Sequence, residues 1–470
     1  MTLGYIEKMS TVDSFTFLST SPTCGRGIYV AVQDRDGTPV LARVYDLSKS
    51  DEKTYAKAEV VGRYRPGGGF FPPFNPLPVG AQVRSPSRAL LSSILGTSRH
   101  SDGMFVGLLR HHHLPVYLDA DEMFTRHAAI VGASGSGKSL AAAVFVEELL
   151  DKGGAVVIID PHGEYAGLSY PCSDPGMLSL MTRFRMKPRS YMERVALYTP
   201  DIRLNPTASQ LRFDDRGLSA QDLKMLGTPA IRANPHQFSL LARAIAELSG
   251  DSPEPDYTLA DIEDWLAKQR GGAKHGAIAE LRYIANLGIF SSPSTTFSQL
   301  VQKGRATIVV MKGVPPDVQD VVVSRLCQRL FRARTQGLIP PLVVLVEEAH
   351  NFCSQRGERL SRRPIIDLVS EGRKFQLGVI LVTQRPARVD KTALSQCGVL
   401  MAFQLSSEGD ITAAAYAMER HLHSHRDELA RLPVGSAVLT GRQFPYPLIV
   451  DVRPRRSEHL AVTKSVLAEV

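Results

Sequence analysis

Tryptophan and cysteine are scarce in this sequence. Trp265 is alone in 470 residues, and Cys24, Cys172, Cys327, Cys353 and Cys397 are scattered with no C-x-x-C spacing. That pattern argues against a disulfide scaffold or a cysteine zinc site and leaves ordinary reduced thiols. No apolar run approaches the ~20 residues a membrane helix needs, and Met1 to Ser10 lacks the apolar core of a signal peptide. The expectation is a cytoplasmic protein with no membrane span. Charged residues make up only 22%, whereas heat-adapted chains tend to be rich in Lys and Glu, so the composition leans towards a mesophilic source. The net charge of +8 suits a polyanionic partner without naming one.

The length exceeds what one hydrophobic core usually supports, so two or three domains are expected. Residues 1–100 carry short β-rich runs such as "GIYVAV", "VLARVYDL" and "KAEVVGRY", split by turn-rich stretches, and read as a small barrel or sandwich. From Asp102 the periodicity changes. The runs "AAIVG", "GAVVIID", "RATIVVMK", "PLVVLVE", "GVILVTQ" and "GVLMAFQL" read as strands buried on both faces of a parallel sheet. Residues 101–210 and 290–470 would form the two parts of this α/β core. Residues 211–289, polar and helix-like, would be a helical insertion, with Trp265 as its core anchor. The final "VGSAVLTGRQFPYPLIVDV" reads as a hairpin that either extends the sheet or lies against a neighbouring subunit.

"IVGASGSGKSL", Ile130 to Leu140, fits G-x-x-x-x-G-K-[ST] between an apolar strand and a helix, the setting a phosphate-binding loop requires. Gly132, Gly135 and Gly137 let successive N–H groups and a helix N-terminus converge on phosphate oxygens. The expected nucleotide contacts are Gly132, Ser134, Gly135, Ser136, Gly137, Lys138, Ser139 and Leu140, with Lys138 on the β and γ phosphates and Ser139 on Mg²⁺. Such a loop needs an acidic partner. "PLVVLVEEAHNF" supplies Glu347 for the metal and Glu348 as catalytic base at a strand's C-terminal end, where α/β sheets bind ligands. Gln384, at the tip of "VILVTQRP", can donate and accept at once, which suits a sensor of the γ-phosphate or attacking water. Arg373 in "SEGRKFQLG" is either a cation delivered to the γ-phosphate or a surface residue at a helix end. In "SQRGERLSRR", Arg356, Arg359, Arg362 and Arg363 would grip DNA phosphates without reading sequence, or belong to a solvated loop. "RHHHLP" reads as an exposed turn, and His127 as a packing residue or a nucleotide contact.

The loop "GASGSGKS", then "DPHGEY", "VLVEEAHNF", "EGRKFQLGVILVTQRP" and "LSQCGVLMAFQL" follow the order seen in the HerA-type ATPases of the HerA/FtsK group, which the chain resembles over nearly its whole length. The resemblance implies a RecA-like P-loop core, an N-terminal barrel of the HerA kind, and a homo-hexameric ring around double-stranded DNA. It implies ATP and Mg²⁺ as ligands, Arg373 as a finger reaching the adjacent subunit, Glu348 as base and Gln384 as sensor, with Asp160 and Glu164 near the nucleotide. The family more often carries Asp at the position of Glu347, and the longer side chain shifts metal geometry. The reading that follows is an ATP-driven DNA translocase working with a partner: a NurA-type nuclease in end resection, or a sirtuin-like or nuclease effector in anti-phage defence. The alternatives are a nucleotide-gated scaffold that activates an effector with little translocation, and a conjugation or packaging motor. The last usually brings membrane spans or a winged helix, neither evident here.

Overall fold

The computed structural model describes the chain except residues 51, 66–68, 72–73, 98–102, 229–233, 251–255, 291–292, 419–424 and 461–470. The N-terminal strands alternate inward and outward side chains, as "SFTFLS" does with Phe15 and Phe17 buried. These strands are β1 (Thr2–Ser10), β2 (Ser14–Ser19), β3 (Tyr29–Gln33), β4 (Pro39–Ser50), β5 (Lys53–Arg65), β6 (Gly69–Phe71) and β7 (Gln82–Arg84). The antiparallel order β1-β7-β3-β4-β5-β2 closes because β2 pairs with both β5 and β1, and β6 extends β5 outside the ring. The barrel has its own core, built on Val30, Val32, Val40, Val44 and Val83.

The second sheet has twelve strands among the described residues. In chain order they are β8 (Gly103–Leu109), β9 (Leu114–Asp119), β10 (Ala128–Val131), β11 (Ala155–Asp160), β12 (Val195–Thr199), β13 (Ser209–Gln210), β14 (Ala306–Val310), β15 (Leu342–Val346), β16 (Leu377–Thr383), β17 (Val399–Ala402), β18 (Ser436–Gly441) and β19 (Leu448–Val452). In space the order is β13-β12-β14-β11-β15-β16-β10-β17-β18-β19-β8-β9. From β13 to β17 every neighbouring pair is parallel. From β17 onward the pairs are antiparallel. The parallel sheet expected from sequence is therefore part of a mixed one. The C-terminal hairpin extends the sheet, and a second hairpin, β8–β9, completes its edge.

The six apolar runs are β10, β11, β14, β15, β16 and β17, all fully buried as strands covered on both faces must be. Between β13 and β14 lie helices Ala220–Leu226, Pro235–Ser249, Leu259–Ala267 and Ala273–Asn286. Trp265 is only half-buried there. Its indole donates to Glu247 at 2.9 Å, and the Arg243 guanidinium lies over its ring, so it edges the insertion rather than anchoring its centre. No described helix is long and apolar enough to cross a membrane.

Barrel and core meet through ions. Glu428, on helix His425–Arg431, receives Arg26 at 3.0 Å and the fully buried Arg43 at 3.1 Å, both from the barrel. Arg43 also pairs with Glu59, which accepts from Tyr446 of the core. The triple-histidine turn joins this junction. His111 and His113 are exposed in the expected turn, while His112 between them is half-buried and accepts the Tyr29 N–H at 2.9 Å. Burial, then the charges of His111 and His113, pushes its pKa down to about 4 and keeps it neutral for that role.

Candidate active site

β10 ends at Val131 and the chain turns at once. A Cβ on Gly132 would lie 2.6 Å from the Cβ of Phe403 and 2.7 Å from the Ser136 hydroxyl, so only glycine fits. Gly135 and Gly137 take φ of +74° and +115°, the left-handed region that side chains avoid. The loop is held from outside, by Ala133 N–H on the Gln404 carbonyl (2.7 Å) and Gly435 N–H on the Ser136 carbonyl (3.0 Å). Helix Lys138–Asp151 starts with no side-chain cap, so its first N–H groups are free for an anion. Lys138 rests its ammonium on the Ala133 carbonyl at 2.9 Å.

Three carboxylates converge on that lysine. Burial lowers the Lys138 pKa, while Glu348, Glu347 and Glu164 oppose the shift. Glu347 and Glu348 follow β15, whose last residue pairs with Leu381 of β16. Glu347 is almost fully buried and accepts from the Tyr165 hydroxyl at 2.5 Å. Burial pushes its pKa up to about 8, opposed by that hydrogen bond and reinforced by the charges of Glu164, Glu348 and Asp160. Glu348 takes a left-handed backbone, φ +50° and ψ +46°, uncommon for a non-glycine residue and a mark of local strain. Burial works to raise its pKa, but His350, Lys138 and His162 outweigh it and hold the carboxyl below its ordinary range.

Asp160 plays a different part from that expected. It is fully buried, and its carboxylate accepts four backbone N–H groups, from His162 (3.3 Å), Gly163 (2.8 Å), Glu164 (3.2 Å) and Tyr165 (3.0 Å). With no exposed atom to offer a nucleotide, it folds the "PHGEY" turn that presents Glu164 and Tyr165. Glu164 lines a cavity of about 420 Å³ with Gly135, Gly137, Lys138, Ser139 and Leu140. Its far wall is apolar, from Met177, Leu180, Val434 and Val452. One oxygen of Glu164 is buried with no hydrogen-bond partner among the described residues. That oxygen, the Ser139 hydroxyl and the Glu347 carboxylate are hard donors of the kind Mg²⁺ takes.

Gln384 stands beside the loop, its carbonyl oxygen accepting from the Ser134 hydroxyl. Arg373 does not join this group. It lies in the turn Gly372–Phe375 before β16, whereas the loop follows β10 at the other end, since Val131 pairs with Thr383 and Ala128 with Ile380. Arg373 is exposed and lines a cleft of about 620 Å³ with Arg126, Lys374 and Tyr416. His127, at the same end, accepts the Val379 N–H at 3.0 Å and is a packing residue, its pKa pushed down to about 4 by burial.

The four arginines of the basic stretch separate. Arg362 pairs with the buried Asp390 at 2.7 Å, and Arg363 with Asp367 at 2.8 Å on one helix. Arg356 is exposed and Arg359 half-exposed. Of the set, Arg362 is the one held by a buried carboxylate, which gives it a structural role in this fold.

Three features escaped sequence reasoning. Glu147, in the helix after the loop, is fully buried and accepts from Arg453 (2.9 Å) and from the backbone of Arg456 and Ser457 (3.1 and 2.9 Å). Arg453 also pairs with Glu148 at 2.8 Å, which rivets the C-terminal strap onto the loop helix. Tyr165 and His350 sit inside motifs quoted for other residues, the only signal they gave.

Residues 104–330 match the family described as "Helicase HerA, central domain". The DNA double-strand break repair helicase HerA of Pyrococcus furiosus is 24% identical over 96% of this chain and 92% of its own. The protein of the same description from Sulfolobus acidocaldarius is also 24% identical, over 96% of this chain and 93% of its own. Among solved structures, the conjugative coupling protein TrwB has a TM-score of 0.49 at 14% identity, covering 80% of this chain and 94% of its own. VirB4 of Thermoanaerobacter pseudethanolicus has a TM-score of 0.48 at 14% identity, covering 75% of this chain and 97% of its own.

Proposed function

The chain is a HerA-type ATPase, and from that premise we infer that it works as a ring of six copies that draws double-stranded DNA through its centre in DNA repair. The observation that carries this reading is the separation of Arg373 from its own phosphate loop by the length of β16. A finger at that end has no site to serve within its own subunit, whereas a head-to-tail neighbour brings one to it.

Lys138 and the uncapped helix start hold the triphosphate, and the glycines let backbone N–H groups reach it. Ser139 and Glu347, with Glu164 beside them, would hold Mg²⁺, which supplies charge neutralisation of the phosphates when bound. Glu348 takes the proton of the attacking water. Gln384, bonded to the loop through Ser134, senses whether the terminal phosphate is present. Arg373 of the neighbour stabilises the charge spread over the phosphoryl oxygens in the transition state. Arg356, Arg359 and Arg363 contact DNA phosphates. A nuclease or another effector supplies the chemistry on the DNA or on a second substrate, in end resection or in anti-phage defence.

The test is the ATPase rate with and without linear duplex DNA, for the wild type and Glu348→Gln. Duplex should raise the wild-type rate several-fold, and Glu348→Gln should abolish turnover with nucleotide binding intact. Absence of stimulation would overturn the motor and favour a nucleotide-gated scaffold.

A further inference from the structure

His350 has no part in the scheme above, yet it stands between two of its elements. Its Nδ1 lies 3.1 Å from Glu348 Oε2 and 3.1 Å from the Thr383 hydroxyl, with both acidic and imidazole side chains largely out of water. That glutamate oxygen is buried and meets hydrogen-bond geometry with no group among the described residues, so the ring nitrogen approaches it closely without yet bonding it. A proton on Nδ1 suits both neighbours, since a bare lone pair there would repel the nearby carboxylate oxygen. The hydrogen-bond geometry of Nδ1 is met with Thr383, whose hydroxyl oxygen also accepts the Arg385 N–H at 3.0 Å.

We propose that His350 is a positioning residue for Glu348, linking the base to the tip of β16; this rests on the reading of Glu348 as the base. By holding one carboxylate oxygen, the imidazole leaves the other aimed at the water, and it sets the side chain of a residue whose backbone is itself strained. The link matters because β16 is one rigid element. It is fully buried and bonded along its length to β15 and β10, carries Arg373 before its first residue, and ends on Thr383 and Gln384. A shift of β16 when Arg373 meets the neighbour's nucleotide therefore arrives at Thr383, then at His350, then at the base. A proton on Nδ1 gives this route two arrangements, the one seen here on Thr383 and another, a small ring turn away, on Glu348.

The experiment measures kcat and nucleotide affinity for His350→Ala, His350→Gln, Thr383→Val and the double variant His350→Ala/Thr383→Val, beside Glu348→Gln. His350→Ala should lower kcat by ~10²-fold, the cost of a misplaced catalytic group, with affinity for a fluorescent ATP analogue within about twofold of wild type. His350→Gln should recover much of that loss because its amide N–H donates to the same oxygen. Thr383→Val should cost less, and the double variant should be no slower than His350→Ala, since both act through one group. A His350→Ala enzyme within twofold of wild type in kcat, or a loss matched by lost nucleotide affinity, overturns the positioning role. Additive losses in the double variant overturn the link to β16. Full turnover in Glu348→Gln would instead refute the assignment of the base.

Discussion

Mixing two dead variants measures whether sites are shared. Arg373 precedes β16, and the phosphate loop begins beyond the far end of the neighbouring strand β10. The seven residues of β16, at about 3.3 Å each, put more than ~20 Å between the two ends. An arginine side chain covers only a fraction of that distance, so a subunit cannot complete its own site. Arg373→Ala alone should then bind nucleotide normally and lose ~10³ to 10⁵ in rate. Lys138→Ala alone should be equally silent, because the loop has lost its cation. When the two are co-assembled in equal amounts, a site is competent if its loop comes from an Arg373→Ala copy and its finger from a Lys138→Ala copy. In a closed ring of head-to-tail contacts those independent halves give about a quarter of the wild-type rate per subunit. Phosphate release at saturating ATP, with co-expression to ensure mixed rings, reads this directly. A mixture that stays at background, or an Arg373→Ala protein that no longer binds nucleotide, would refute the separation of finger and loop as the basis of the mechanism.

Other consequences can be measured separately. Glu147→Leu removes the acceptor of a fully buried arginine and two backbone N–H groups. It should destabilise the core by about 3 to 5 kcal/mol, seen as a lower unfolding midpoint in differential scanning fluorimetry. Burial works to raise the Glu147 pKa, but Arg453, Arg455 and the hydrogen bonds prevail and lower it. A lowered folded pKa means that this stability is fully present above the unfolded value near ~4.3 and is lost as pH falls through the folded one. The wild type should therefore lose more stability than Glu147→Leu on acidification below about pH 4. Gly132→Ala should abolish nucleotide binding in a fluorescence titration, since its Cβ would press on Phe403 and Ser136 inside 3 Å. Arg356→Ala/Arg359→Ala should weaken duplex binding and flatten its salt dependence by about one to two contacts, whereas Arg362→Ala, which frees the buried Asp390, should lower stability instead.

The parallel strands could be read because burial on both faces leaves an uninterrupted apolar run, and β10, β11, β14, β15, β16 and β17 each carry one. The turn of the hairpin β8–β9 was legible, but its place in the core sheet was not, because it joins through β19, more than three hundred residues away, and pairing at that distance leaves no local signature. β12 is half-buried and follows an Arg-rich stretch, so its five residues lack the contrast that marks a core strand. Within the site, the loop and the carboxylates of Glu347 and Glu348 were legible because strand and motif coincide. The role of Asp160 was not, because a residue type tells that a carboxylate is present and not whether its lone pairs are already spent on backbone N–H groups. The same holds for Arg362, whose ion pair with Asp390 joins residues 28 apart.

The junction at Glu428 gives the barrel a short mechanical lead into the motor. Helix His425–Arg431 is gripped at its middle residue, Glu428, by Arg26 and Arg43, and its Leu429 and Ala430 carbonyls hold the Leu405 N–H and the Gln404 amide. Gln404 in turn accepts from Ala133, while Gly435, just past the helix, donates to Ser136. Both rims of the phosphate cradle are thus tethered to the segment that ends on the barrel. A displacement of the barrel would therefore reach the phosphate loop through these hydrogen bonds without passing through the central sheet.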